Sequence, residues 1–84
     1  MRIIYTKHAE EKLNRADVKK FKISKRTIEK ILEDPESLSK TKYGDYSALG
    51  SLDKTHVLRV IFVIIEDRLK VITFHIARKG RYEN

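Results

Sequence analysis

The stretch from His56 to Tyr82, HVLRVIFVIIEDRLKVITFHIARKGRY, constrains the fold more than any other part of this chain. It is dense in Val, Ile, Phe and Thr, residues that suit a pleated and half-buried surface, and it is interrupted at Glu66, Asp67 and Arg68. The pattern predicts two long strands joined by a tight turn, closing in a basic and aromatic tail. Side chains alternate across a strand, so Val57, Arg59, Ile61, Val63 and Ile65 share one face, and His56, Leu58, Val60, Phe62 and Ile64 the other. Both faces are largely apolar, the mark of a central strand covered by helices on at least one side. Candidate helices occur only before this stretch.

A two-residue turn pairs odd positions of the first strand with even positions of the second. By that count Arg59 shares a face with Ile72, Phe74, Ile76 and Arg78, while His56 and His75 lie opposite as packing or strand-edge residues. Two arginines entering an apolar strand pair from the same side are the most unusual feature of the sequence. The simpler alternative is that both reach solvent near strand ends, because charged side chains are rarely buried unpaired.

With 84 residues the chain has room for one domain, residues 1–84. A chain of this size buries roughly 60 to 65% of its unfolded surface, enough for a single core. It has no cysteine, so neither a disulfide framework nor a thiolate zinc site is available. No apolar run approaches the ~20 residues that span a bilayer, and the opening MRIIYTKHAEEK has no signal-peptide pattern. These features predict a soluble cytoplasmic domain without a membrane partner. The formal net charge of +7 points to an anionic partner.

In chain order, Arg2 to Tyr5 is a short strand candidate and Thr6 can cap a helix from Lys7 to about Asn14. Asn14 to Phe21 breaks the pattern and reads as a connection. A second helix starts at Ser24, carries Ile28, Ile31 and Leu32 as an apolar stripe, and stops at Asp34 before Pro35. Its outer face, together with Lys19, Lys20 and Lys22, is cationic enough to meet phosphate and equally suited to simple solvation. Strands follow at Ser37 to Thr41 and Tyr46 to Leu52, with turns at Tyr43 to Asp45 and at Asp53 and Lys54. The expected fold is α+β, with a short N-terminal strand and two helices packed on one face of a sheet of three or four antiparallel strands.

The chemistry legible in the residues is that of anion recognition. The three glycines are dispersed and form no phosphate loop, and His8, His56 and His75 lack metal-ligand spacing, so neither a metal nor a cofactor is expected. The unclaimed polar set comprises Arg59, Arg78, Lys79, Arg81, Tyr46, Tyr82 and the histidines. It suits a phosphodiester, since Arg forks grip phosphate oxygens and Tyr or Arg planes stack on unpaired bases. A catalytic version would be metal-independent RNA cleavage, in which the 2′-hydroxyl attacks the adjacent phosphate, arginines stabilise the phosphorane and an imidazole, phenol or lysine moves protons.

Four segments, IIYTKHAEEKL, EDPESL, GDYSALGSLDKTHVLRVIFVIIEDRLKVITFHIAR and RKGRYEN, together resemble a family of small prokaryotic domains. In that family a strand leads into a His-Ala helix, a Leu-Arg-Val strand precedes a Val-Ile-Thr strand, and the chain often closes on Arg-Tyr-Glu. The family is similar to the RelE and BrnT ribonuclease toxins of toxin–antitoxin pairs, and the resemblance spans almost the whole chain. It implies catalytic roles for His8, Arg59 and Arg78; Lys12, with Tyr46, Lys79, Arg81 and Tyr82 of the polar set, is expected to contact RNA. Lys12 stands where the family commonly has arginine, which keeps the charge but loses the planar fork. The implied partners are RNA, free or on the ribosome, and a small acidic antitoxin. A non-catalytic RNA- or protein-binding module on the same fold is the alternative, and long strands with an apolar edge could also pair two copies into a homodimer.

Overall fold

A computed structural model describes residues 2–80; Arg81 and Tyr82 lie outside them. The long hairpin is its centre: β4 (His56–Ile65) runs antiparallel to β5 (Arg68–Arg78) through the two-residue turn Glu66-Asp67, with Glu66 at φ +58°. On one side of it come β3 (Tyr46–Ser51) and then β2 (Ser37–Lys40), both antiparallel. On the other side β1 (Arg2–Tyr5) pairs in parallel with the first four residues of β5. The fold is therefore α+β, as expected, but its sheet is mixed and five-stranded, in the order β1-β5-β4-β3-β2, because the N-terminal strand joins it.

Three helices are found among the described residues where two were expected: α1 (Lys7–Lys12), α2 (Ala16–Lys20) and α3 (Lys25–Glu33). The segment read as a connection holds α2, which buries Val18 and is followed, after its C-cap Phe21, by Lys22 in the left-handed region at φ +58°. At the start of α3 the Ser24 side chain accepts from the Thr27 amide and the Thr27 hydroxyl accepts from the Ser24 amide, a reciprocal cap. No helix among the described residues is long and apolar enough to cross a membrane.

All three helices bury their apolar residues against the same side of the sheet. Ala9, Val18, Ile23, Ile28 and Ile31 meet Ala48, Leu58, Val60, Phe62, Val71 and Phe74 in one cluster. Each large aliphatic or aromatic side chain buried there contributes on the order of 1.5 to 3 kcal/mol, so this face carries most of the stability. The Tyr5 hydroxyl adds a tie by donating to Glu29 at 2.7 Å, which links β1 to α3. Burial, and then that carboxylate, push the Tyr5 phenol well above its ordinary range.

Helix α3 packs closely on the sheet at Gly50, where a Cβ would stand 2.5 Å from Cγ1 of Ile31. A branched side chain in a packed core cannot retreat that far, so Gly50→Ala is expected to cost about 1 to 3 kcal/mol in urea unfolding. A double variant with Ile31→Ala should recover part of that loss relative to the sum of the single changes.

The turn before β4 is held by Asp53, whose Oδ1 accepts from the amides of Thr55 at 2.8 Å and His56 at 2.7 Å. The Thr55 amide first, and then the His56 contacts, hold its carboxyl down at about 2, against 3.8 ordinarily. A depressed carboxyl stabilises the folded chain above the ordinary value and loses that contribution as the pH falls through the folded value. Thermal unfolding should therefore show an acid limb between about pH 4 and 2 that shrinks in Asp53→Ala.

Candidate functional site

The side of the sheet without helices is set by the β4–β5 register. From the turn, Ile65 faces Arg68 and Phe62 faces Val71, but Ile61 faces Thr73, so Ile72 is an extra residue. This bulge reverses the parity beyond it. Arg59 consequently stands opposite His75 and not beside Arg78, and His75 moves to the open face. Two rows cross that face: Ser39, Ser47, Ile61 and Thr73, then Ser37, Leu49, Arg59 and His75.

The same bulge brings α1 to the site. β1 stops at Tyr5, opposite Val71, so the rest of β5 lacks a strand neighbour on that side, and α1 takes the place. The Thr6 hydroxyl accepts from the Ala9 amide at 3.1 Å and donates to the Ile72 carbonyl at 2.8 Å, fastening the helix start to the extra residue. His8 and Lys12, one helical turn apart, then reach the open edge of β5. His8 Nε2 lies 3.2 Å from the Thr73 hydroxyl, and Lys12 Nζ lies 3.4 Å from that hydroxyl and 3.3 Å from His75 Nδ1. Arg59 leans across to β3, where its Nε donates to the buried Ser47 hydroxyl at 2.9 Å.

Four cationic or titratable groups, His8, Lys12, Arg59 and His75, thus gather around Thr73 and its row. An ammonium has no lone pair, so His75 Nδ1 accepts from Lys12 and the imidazole proton sits on Nε2. Partial desolvation first, then the Lys12, Arg59 and His8 charges, draw the His75 pKa below its ordinary value. The Lys12 pKa is lowered as well, by burial first and then by Arg15, with Asp17 opposing. Lys12 and Arg59 place positive charge beside His75, surroundings that a phosphate would favour. Among the described residues no three His, Asp or Glu side chains are placed to hold a metal ion.

The other residues singled out in the sequence go elsewhere. Arg78 faces His56 across the strands, at the end of the helix-covered side, near Asp17 and Phe21. The expected pairing of Arg59 with Arg78 on one face is therefore replaced by Arg59 with His75, because a single inserted residue exchanges the faces of β5. His56 lies opposite Arg59, with its ring 4.8 Å from that of Phe21 and Nδ1 3.0 Å from Asp53. Tyr46 stacks on Phe62 at 5.4 Å, on the helix side, with the Lys40 ammonium 5.8 Å from its ring. Lys79 is exposed beyond β5, its amide donating to the Thr55 carbonyl. The RNA contacts expected of Arg81 and Tyr82 fall outside the described residues. Sequence reasoning missed Thr73, His75 and Ser47, whose one signal was their alternation along β5 and β3.

Compared with family models, with curated proteins and with solved structures, the chain finds no match in any of the three.

The Lys12–His75 contact makes a measurable claim. In an NMR titration His75 should protonate below the ordinary histidine range, and Lys12→Ala should move its midpoint upward by removing a charge and admitting water. Inorganic phosphate added to the intact chain should move it the same way.

Proposed function

We propose that this chain is a metal-independent endoribonuclease of the RelE and BrnT toxin type, acting on RNA in the cytoplasm. The observation that carries the reading is that His8 and Lys12 both reach the Thr73 hydroxyl on the helix-free face, with His75 in contact with Lys12 and Arg59 its partner across the strands. The α+β fold, with helices on one side of the sheet and the other side open, supports the reading at the level of fold class. Its excess positive charge suits control by a small acidic antitoxin laid across the same face.

The chemistry follows from the donors present. The 2′-hydroxyl attacks the neighbouring phosphorus, the P–O5′ bond breaks, and the products are a 2′,3′-cyclic phosphate and a 5′-hydroxyl. Arg59 and Lys12 stabilise the charge that builds on the phosphorane oxygens. His8 takes the 2′-hydroxyl proton. His75 delivers its Nε2 proton to the departing O5′ while Lys12 returns a proton to Nδ1 along their 3.3 Å contact. That relay lets a neutral imidazole act as an acid.

Incubation of the purified chain with single-stranded RNA in excess chelator tests this. Cleavage leaving 2′,3′-cyclic phosphate ends is expected, with His8→Ala and His75→Ala each lowering the rate about 10²- to 10⁴-fold. Arg59→Ala should lower it about 10²- to 10³-fold. Arg78→Ala should leave the rate near that of the intact chain. RNA that is bound but never cut would turn the conclusion to a non-catalytic binding module, and growth arrest on inducible expression would separate a toxin from other nucleases.

A further inference from the structure

Beside the cationic cluster the open face dips into a shallow depression that the cleavage scheme does not use. Its floor is Ile61 and its wall is the turn between β2 and β3, which presents Tyr43 together with Lys42 and Asp45; Arg59 also lines it. Tyr43 is 80% exposed, the most exposed of the large apolar and aromatic side chains among the described residues. A ring so placed contributes little to folding, yet the turn that supports it is closed by hydrogen bonds. The Tyr43 amide donates to the Thr41 hydroxyl at 3.2 Å, the Thr41 amide to the Asp45 carbonyl at 2.7 Å, and the Gly44 amide to the Thr41 carbonyl at 3.1 Å. Gly44 takes the φ of +92° that closes the turn. The Lys42 ammonium sits 5.2 Å from the Tyr43 ring centre, which places a further cation at the rim.

The depression and the cluster are parts of one surface. Ile61, on the floor, is the cross-strand partner of Thr73, the hydroxyl that His8 and Lys12 both reach. Partners on adjacent strands are separated by about 5 Å, so the depression begins within one nucleotide of the cluster. Arg59 belongs to both, opposite His75 in the ladder and at the wall of the depression. A hydrophobic floor, an exposed phenol ring and flanking cations are what an unpaired nucleotide requires, since its base stacks while its phosphate seeks charge.

We propose that the depression formed by Tyr43, Ile61 and Arg59 seats an unpaired nucleobase of an RNA strand, next to the phosphate held by His8, Lys12 and His75. This rests on the reading of the cluster as an RNA site and names the subsite that reading lacks. Tyr43 supplies the stacking plane, in place of Tyr46, whose ring is engaged with Phe62 on the other face.

Binding can be measured apart from cleavage with a short single-stranded oligonucleotide carrying 2′-O-methyl groups, which cannot cyclise, by fluorescence anisotropy. Tyr43→Ala should weaken binding about tenfold or more, and Tyr43→Phe or Tyr43→Trp should retain it. An abasic substitution at the stacked position should weaken binding to the intact chain but not further weaken binding to Tyr43→Ala. Unchanged melting of Tyr43→Ala, expected for so exposed a residue, excludes a folding defect. Equal affinity of Tyr43→Ala and the intact chain, or additive losses from the variant and the abasic site, would overturn the subsite while leaving the nuclease reading in place. Tyr43-dependent binding without any cleavage of ordinary RNA would uphold the subsite and overturn the nuclease. No binding by the intact chain would overturn both.

Discussion

One inserted residue in the β4–β5 ladder governs most of what this protein presents to solvent. Up to Phe62 and Val71 the hairpin follows the register that its two-residue turn dictates; beyond Ile72 every side chain of β5 has changed sides. The extra residue also marks where β1 stops pairing, and its carbonyl receives the Thr6 hydroxyl from the start of α1. A bulge, a strand end and a helix cap thus coincide at one point on the edge of the sheet. Without the bulge, His75 would turn toward the core side and Phe74 toward the open face, and the core and the site would both be lost.

The two sides of the sheet divide stability from chemistry. Phe74, Leu58, Val60 and Val71 are fully buried beneath Val18 and Ile28 of the helices, and this dry contact holds the fold. The opposite face keeps a smaller apolar cluster, Leu49, Val57 and Ala77, at one end. The rest of it mixes Ile61 with hydroxyls and cations. Partial desolvation of the Lys12 ammonium beside His75 works against folding. The hydrophobic face is strong enough to offset that cost.

Much of this was legible along the chain. The hairpin, the strands ending near Lys40 and Ser51, and α3 with its Ser24 cap all followed from period, propensity and cap chemistry, which act within a few residues. The segment Asn14 to Phe21 was harder. Its helix α2 is five residues long and buries a single side chain, Val18, so no apolar stripe announces it, and packing against the sheet makes it helical. Tyr46 shows a different failure. Its aromatic ring and the cations near it suggested base stacking, but the alternation along β3 places it over Phe62, where it serves the core.

For the site, Arg59 stood out as a charge inside an apolar run, while His8 and Lys12 were named through the family resemblance. Neither signal could show which groups meet. Face assignment on β5 depends on a count of residues from the turn, and a bulge of one residue inverts it without leaving a composition signal. The parallel pairing of β1 likewise joins residues more than sixty positions apart. By itself, then, the sequence determined the elements, the charge and the polar residue types, all of which are local or additive properties. The tertiary structure alone decided that His75 joins the cluster and Arg78 leaves it, because register is set jointly by two strands, a helix cap and the packing of one face.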